Sequence, residues 1–405
     1  MSSPVANEAY DDAYVTTNNI DLGSSTKRAI APYVTSENSW DYMQAGESNN
    51  FSSGSGYSVK LNTSGNISFT GTMQVDDSGV DVELSNEGSR LNLLGNPYTS
   101  FITSSIFLAN ETAISDTQTL WVWNQSTGTY QVKTLLDEFV LAPAQGFFVR
   151  ANTTAGTFNF AESNQTVGGG TFQKTSNRTK VELILSDGSK FREATLNYTN
   201  NMTTGFDVGY EGELFDGVSN SFAIYTHLLS DREGINYQVQ SLPNSDYENM
   251  IVPLGVNAVS GTNITIEASK NHFPVGIHLY LEDKNDNSFT LLNADSKYTT
   301  TLETDLEGIG RYYLHATKSV LNTNDFRITN NISIYCSSRE NLRIIGVQNG
   351  TAEIQLYDVL GKEVLRNSFK GKGLNDISIS KLTKGVYILR LTSGVGIINR
   401  KISIQ

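Results

Sequence analysis

The side chains that could do acid–base or metal chemistry are few and scattered. Strand-like segments contain all four histidines, which are His227, His272, His278 and His315. A metal site needs paired or clustered ligands at short intervals, and these histidines have no such spacing. The one cysteine, Cys336, has no histidine partner nearby in the sequence, so it is a poor candidate for a nucleophile. We therefore predict no metal site, no cofactor, no catalytic residue and no enzymatic activity for this chain.

Two acidic turns could supply oxygen ligands to calcium. The stretch "DDSGVD" spans residues 76–81, and "DKNDN" spans residues 283–287. The second begins like an EF-hand loop, but Ala294 stands where the bidentate glutamate of such a loop would be. Because apolar, alternating segments flank it on both sides, a β-hairpin turn is the favoured interpretation and a calcium loop is the alternative.

An aromatic group around one predicted hairpin could bind sugars. Trp121 and Trp123 are two residues apart, so they point to the same face of a strand, and Tyr130 follows the turn "NQSTG". An exposed row of these rings would stack on sugar rings, which would make a polysaccharide a partner. The alternative is that the rings pack between two sheets, because large aromatic side chains dominate such cores. The neighbours Leu120 and Val122 favour burial of both faces, and both interpretations stay open.

Composition and charge exclude several classes of protein. The chain has 405 residues and a formal net charge of -13, so it is a poor candidate for nucleic-acid binding. A single cysteine cannot form an intrachain disulfide, and no run of 18 apolar residues predicts a membrane span. The first residues also lack the basic and apolar segments of a signal peptide. Aromatic residues at 10% argue against intrinsic disorder.

The hydrophobic pattern predicts an all-β protein. Short runs rich in Val, Ile, Thr, Tyr and Phe alternate with Gly, Asn, Asp and Ser turns every 8–12 residues or so, which is typical of sandwiches and barrels. We predict a leading linker at residues 1–25, then two β-sandwich-like domains at 26–165 and 175–320. A terminal domain follows at 327–405.

The terminal domain differs from the remainder of the chain in charge. Residues 327–405 contain 12 Lys and Arg and 5 Asp and Glu, a net charge of +7, whereas the preceding residues carry -20. Such asymmetry indicates a segment with partners of its own. Its short strands alternate well, with Arg400 as the one polar residue on an otherwise apolar face, and each predicted turn contains a glycine.

The order of motifs in this domain resembles a known family. The stretches "IQLYDVLGKEVLRNSF", "GLNDISISKLTKGVYILRLTSG" and "NRKISIQ" are similar to the type A C-terminal sorting domain of cargo of the Bacteroidota type IX secretion system. The matching positions are Gly361 and Lys362 in the first turn, Gly385, Val386 and Tyr387 in a later strand, and Lys401 in the closing strand. The resemblance implies a small Ig-like β-sandwich. We expect the glycines to form turns, Tyr387 to pack the core, and Lys362 and Lys401 to contact a partner.

The resemblance also implies a location and partners. An outer-membrane translocon and its shuttle protein would recognise the domain, and a sortase would remove it by cutting between about residues 318 and 332. We then expect a secreted, cell-surface protein, and the chain would be the C-terminal part of a longer one. The upstream segments "LNLLGNPYTSFI" and "LAPAQGFFVRA" resemble modules that precede such tails. Their expected role is adhesive or structural, and the alternative is a carbohydrate-binding accessory region of a larger secreted hydrolase.

Overall fold

The fold is all-β, as the sequence predicts. The computed structural model describes residues 1–75, 77–115, 117–154, 156–167, 178–318, 333–336, 340–393 and 396–404. These residues contain 32 strands, two α-helices of six and five residues, and three 3-10 turns (Leu135–Asp137, Glu162–Asn164 and Tyr247–Asn249). The chain forms two compact units, of which the first comprises Met1–Leu281 with Leu291–Lys318 and the second Glu282–Thr290 with Ser319–Gln405. Each unit is described separately below.

The first part of the first unit is a set of small paired strands around an aromatic core. The elements are β1 (Val5–Ala6), β2 (Ala9–Asp11), α1 (Asp12–Thr17), β3 (Ile30–Val34), β4 (Ser39–Trp40), β5 (Ser48–Asn50), β6 (Tyr57–Val59) and β7 (Thr72–Met73). They pair as β1 with β7, β2 with β5, and β4–β3–β6. Helix α1 begins at Asp11, whose carboxylate accepts a hydrogen bond from the backbone N–H of Tyr14 at 2.8 Å.

The predicted leading linker at residues 1–25 is wrong. Tyr10 is buried, and its ring centroid lies 4.7 Å from that of Phe51 and 5.6 Å from that of Tyr57. Val15 and Ile20 are also buried in this cluster. Phe51 and Tyr57 lie some forty residues further along the chain than Tyr10, so local composition gives no sign that Tyr10 is buried.

The next part of the first unit continues the β architecture. Its elements are β8 (Val80–Leu84), β9 (Leu91–Gly95), β10 (Phe101–Thr103), α2 (Ser104–Leu108), β11 (Leu120–Asn124), β12 (Thr129–Lys133), β13 (Val140–Leu141), β14 (Gly146–Arg150), β15 (Gly156–Phe160) and β16 (Gln165–Thr166). The sheets are β12–β11–β14–β9, β13–β10–β16 and β15–β8. A core that includes Phe107, Phe147 and Phe158 lies between them.

Residues 179–317 contain one sheet of 11 strands. They are β17 (Thr179–Ser186), β18 (Phe191–Thr199), β19 (Gly212–Glu213), β20 (Ala223–Thr226), β21 (Tyr237–Pro243), β22 (Val252–Asn257), β23 (Asn263–Asn271), β24 (His278–Asp283), β25 (Ser288–Leu292), β26 (Tyr298–Thr301) and β27 (Tyr312–Thr317). The order is β25–β24–β27–β22–β20–β21–β18–β17–β23–β26, and β19 also pairs with β21. Val181, Leu183 and Leu185 alternate inward from β17 into a core shared by most of these strands, so the sheet folds round on itself.

The terminal domain has a core of its own. Its strands are β28 (Ser333–Cys336), β29 (Asn341–Tyr357), β30 (Glu363–Ser378), β31 (Gly385–Ser393) and β32 (Gly396–Ile404). Strand β29 forms a long hairpin with β30. The first half of β29 also pairs with β28 and its second half with β31, and β32 pairs with β31. Leu342 from the first half and Leu356 from the second half share one buried cluster with Leu389. The sheet therefore folds over a single core, as a small sandwich does.

Candidate partner-binding surface

The first turn of the terminal domain is held by its own hydrogen bonds. The Asp358 N–H donates to the Lys362 carbonyl at 2.9 Å, and the Gly361 N–H donates to the Asp358 carbonyl at 3.0 Å. The Asp358 carboxylate also accepts from the N–H groups of Leu360 and Lys362, both at 2.9 Å. Gly361 has φ +82°, a conformation that costs other residues energy because of their Cβ atom. The sequence therefore fixes a well-defined turn here.

Tyr387 lies in the core, where the sequence analysis expects it. The side chain is buried between its exposed neighbours Val386 and Ile388 on β31, and its hydroxyl donates to the Thr383 carbonyl at 2.7 Å. A tyrosine that bonds back to a backbone carbonyl a few residues upstream also occurs as the tyrosine corner of immunoglobulin-type sandwiches. Gly385 begins the strand directly before it.

The other face of β31 is open to solvent and continues onto its neighbours. Ile388 is directly opposite Tyr357 on β29 and Lys401 on β32, and directly opposite residues share one face of a sheet. Val386 and Arg390 flank Ile388 on the same face and are exposed. We call Tyr357, Val386, Ile388, Arg390 and Lys401 the outer face. The fold thus brings together Val386 and Lys401, and the turn with Gly361 and Lys362 follows directly after Tyr357.

Two apolar side chains stand at the turn beside the outer face. Val359 is 74% exposed and Leu360 is 90% exposed. We call this pair the apolar tip. The apolar tip is not among the residues predicted from the sequence, although "DVLGKE" contains a signal: turns are ordinarily polar, so an apolar pair within one is unusual unless it has a function.

The charges on this domain divide into paired and unpaired groups. Arg366 contacts Glu353 at 2.9 Å and Glu363 at 2.8 Å, and Arg343 contacts Asp376 at 2.8 Å. Hydrogen bonds from these arginines lower the pKa of Glu363 and of Asp376. Within the part of the domain that the structure describes, Lys362, Arg390 and Lys401 form no ion pair. Their positive charge is therefore available to a partner.

The aromatic group proposed to bind sugars is divided between core and surface. Trp121 is fully buried, its indole N–H donates to the Glu213 carbonyl at 2.9 Å, and its ring centroid lies 5.5 Å from that of Phe215. It belongs to a cluster with Val132, Phe148 and other residues that joins the two predicted upstream domains within the first unit. Burial leaves Trp121 no ring face for a sugar, as the core interpretation expects.

Trp123 and Tyr130 have a different environment. They are directly opposite each other on β11 and β12, with ring centroids 5.1 Å apart. Trp123 is 48% exposed, and its indole N–H donates to the Gln125 side chain at 2.9 Å. Tyr130 is half-buried against Phe215, at 4.3 Å between ring centroids, and burial raises its pKa to about 12. The ring of Trp123 is thus the one of the three that is open to a ligand.

A polar cleft of about 720 Å³ lies where the two predicted upstream domains meet in the first unit. Arg150 lines this cleft. Its guanidinium contacts the Asp216 carboxylate at 2.8 Å and the Glu213 carboxylate at 3.6 Å. The same group lies 5.7 Å from the centroid of the Trp121 ring. Amide and guanidinium groups of Arg90, Asn152 and Asn220 also line the cleft. Because Glu213 and Asp216 also line the cleft, its mixture of donors and acceptors suits hydroxyl-rich ligands.

The second of the two acidic turns occupies a structural position. Residues 284–287 form the turn between the hydrogen-bonded strands β24 and β25, and the Asn285 N–H donates to the Asp283 carboxylate at 2.9 Å. This is the hairpin that the sequence favours. In the stretch 76–81, Asp76 lies outside the described residues, as do residues 319–332, where the sortase site is expected. Across the described ranges, no three His, Cys, Asp or Glu side chains are grouped closely enough to hold a metal ion.

The comparisons with known proteins match two segments of the chain. Residues 122–312 match a family described as a domain of unknown function (DUF8693), and this match overlaps parts of both predicted upstream domains. Residues 329–405 match the secretion system C-terminal sorting domain. No curated protein matches the sequence. In the described part of the chain, no helix is both long enough and apolar enough to cross a membrane. The terminal match agrees with the fold and charge of that domain, and it identifies the chain as a cargo protein of the type IX secretion system that carries a C-terminal sorting domain.

Proposed function

We propose that residues 327–405 are the export signal that the type IX translocon and its outer-membrane shuttle protein recognise. The observation that carries this proposal is the separate core of the terminal domain, because a signal that folds by itself can be recognised independently of its passenger. The unpaired Lys362, Arg390 and Lys401 add a charge pattern that differs from the acidic passenger.

Export of a fusion protein tests this proposal. Residues 319–405 would be joined to a fluorescent protein that bears a signal peptide, in a bacterium with a type IX system. We expect fluorescence outside the cell and on its surface, and its loss in a strain without the translocon. Retention in the periplasm of both strains would contradict the proposal.

The proposed partner contacts of Lys362 and Lys401 can be tested in the same fusion. Exchange of both for glutamate reverses two exposed charges and should reduce export. The matched control is Lys370→Glu, an exposed lysine opposite Thr351 on the β29–β30 hairpin, away from the Gly361 turn. Equal export of the double variant and the control would exclude these contacts.

Removal of the domain by a sortase is part of the same proposal. The family's cleavage site would lie between about residues 318 and 332, ahead of β28. Mass spectrometry of the exported product should find a C-terminal residue within that range, whereas a product that ends at Gln405 would show that the domain is retained.

The passenger is proposed to be adhesive or structural and not catalytic. A glycan-binding role is the second candidate, and it rests on the open ring of Trp123 and on the polar cleft. Trp123→Ala should abolish retention of residues 1–318 on immobilised polysaccharide without changing the fold. Phe191→Ala, at a comparably exposed ring, is the matched control. Equal retention of the parent, both variants and a blank matrix would remove the glycan candidate.

A further inference from the structure

We propose that the apolar tip, Val359 and Leu360, inserts into an apolar pocket on the protein of the secretion machinery that docks the sorting domain. The inference rests on the proposed function and specifies its contact. Large exposed apolar side chains that cluster on a surface mark interaction sites. Here they occupy a turn, where polar residues are the ordinary choice.

The turn holds the tip in a fixed shape before any partner arrives. Four hydrogen bonds within Asp358–Lys362 fix the backbone on either side of Leu360, and two of them end on one carboxylate oxygen of Asp358. A contact that is already ordered loses less conformational entropy on binding, so a small apolar area contributes more affinity. An apolar pair that served no contact would gain nothing from such rigidity.

The surroundings of the tip define the chemistry of its partner. The outer face continues the apolar surface with Val386 at 37% and Ile388 at 42% exposure. Lys401 of the outer face and Lys362 of the adjoining turn are exposed and form no ion pair in the described part of the domain. An apolar centre with a charged margin is typical of a protein–protein contact. The complementary surface is an apolar pocket with acidic groups around it.

Two other occupants fit less well. A second copy of this domain would bring the same excess of positive charge to the contact, and like charges across an interface cost energy. A lipid surface would receive only two inserted side chains, which is little apolar area for stable anchoring. A pocket on a protein encloses both side chains fully and gains the most from the fixed turn.

The experiment uses the whole chain with a signal peptide in a bacterium with a type IX system. The variant carries Val359→Asp and Leu360→Asp, and the matched control is Val275→Asp, which changes a 99% exposed valine of the first unit. Loss of two buried side chains from the contact should reduce export about tenfold or more, with unchanged thermal unfolding of the purified chain. The control should be exported like the parent.

The outcomes separate the tip from the export signal. Parent export that depends on the translocon, with equal export of the double variant, would overturn the tip and leave the proposed function standing. Parent export that does not need the translocon would overturn both. A photo-crosslinking phenylalanine analogue in place of Leu360 should form an adduct with a translocon or shuttle protein. Adducts with lipid alone, or with a second copy of the chain, would also overturn the proposal.

Discussion

Glu211 is a buried carboxyl group in the first unit, and its position makes stability depend on pH. Its oxygens accept hydrogen bonds from the Asp207 N–H at 2.6 Å and the Ser241 N–H at 3.3 Å. Burial raises the pKa of Glu211 to about 8 from a usual value of 4.5. Below pH 4.5 the carboxyl is protonated in both the folded and the unfolded chain. Above that pH the unfolded chain releases the proton while the folded chain retains it, so stability falls until about pH 8.

The variant Glu211→Gln should remove this pH dependence. The contribution of one such group is about 1.4 kcal/mol per pH unit within the window. We expect urea unfolding between pH 5 and pH 8 to show a falling free energy for the parent and a flatter profile for the variant. Parallel profiles would mean that Glu211 ionises in the folded protein near its usual pKa.

Tyr387 offers a second test at the scale of one residue. Tyr387→Phe retains the buried ring and removes the hydroxyl that donates to the Thr383 carbonyl. The loss should lower the unfolding free energy of the terminal domain by about 0.5–1.5 kcal/mol. Tyr357→Phe, on the outer face, is the control and should change it little. Equal effects of the two variants would show that the bond to Thr383 stabilises nothing.

At the scale of elements, the turn between β29 and β30 depends on one glycine. Gly361 has φ +82° and no atom within 4 Å of an added Cβ, so Gly361→Ala meets backbone strain and no clash. We expect a loss of about 1 kcal/mol in the unfolding free energy of the terminal domain. Gly65→Ala, whose backbone is outside the left-handed region and whose Cβ would have space, should be nearly neutral for the first unit. Thermal or chemical unfolding of both variants and the parent measures the difference in unfolding free energy. Equal values for Gly361→Ala and the parent would show that the turn relaxes to accept the alanine.

The elements also show how far the sequence predicts this fold. In β17 and β31, apolar residues alternate along Val181–Leu185 and Tyr387–Leu391, and this alternation predicts which side chains face the core. The structure buries those alternating apolar side chains. The hairpin "LWVWNQSTGTY" likewise follows from its turn residues. The strands β1 and β2 were missed because they are two and three residues long and pair with β7 and β5, far along the chain. No local pattern encodes such pairing.

The same distinction applies to the candidate surfaces. The positions of Gly361, Lys362 and Lys401 are indicated by resemblance. That Lys401 lies two strands from Tyr357, the residue before the Gly361 turn, depends on the register of β29, β31 and β32. Trp121 and Trp123 are two residues apart and so lie on the same face of β11, yet Trp121 is buried and Trp123 is exposed. The burial of Trp121 comes from Phe215, more than ninety residues away, which period-two alternation cannot reveal.

At the scale of the whole molecule, the two predicted upstream domains are joined by a shared core. Trp121 packs against Phe215, and the Val132 N–H donates to the Gln238 side chain at 2.9 Å. Arg150 adds its contact with Asp216. Both predicted domains contribute buried apolar side chains to this core, among them Phe148 from β14 and Val239 from β21. We therefore expect the first unit to unfold in a single cooperative transition.

Trp121→Ala tests this coupling. Removal of a fully buried tryptophan should cost about 3–5 kcal/mol, whereas Trp123→Ala should cost less than about 1 kcal/mol because its ring is half exposed. If the shared core couples the two parts, hydrogen exchange should accelerate in β17 as well as in β14, although neither strand contains the substituted residue. Acceleration confined to residues 80–167 would show that the two parts unfold independently. The shared core would then be a contact between separate domains, and the polar cleft beside it could open without the unfolding of either domain.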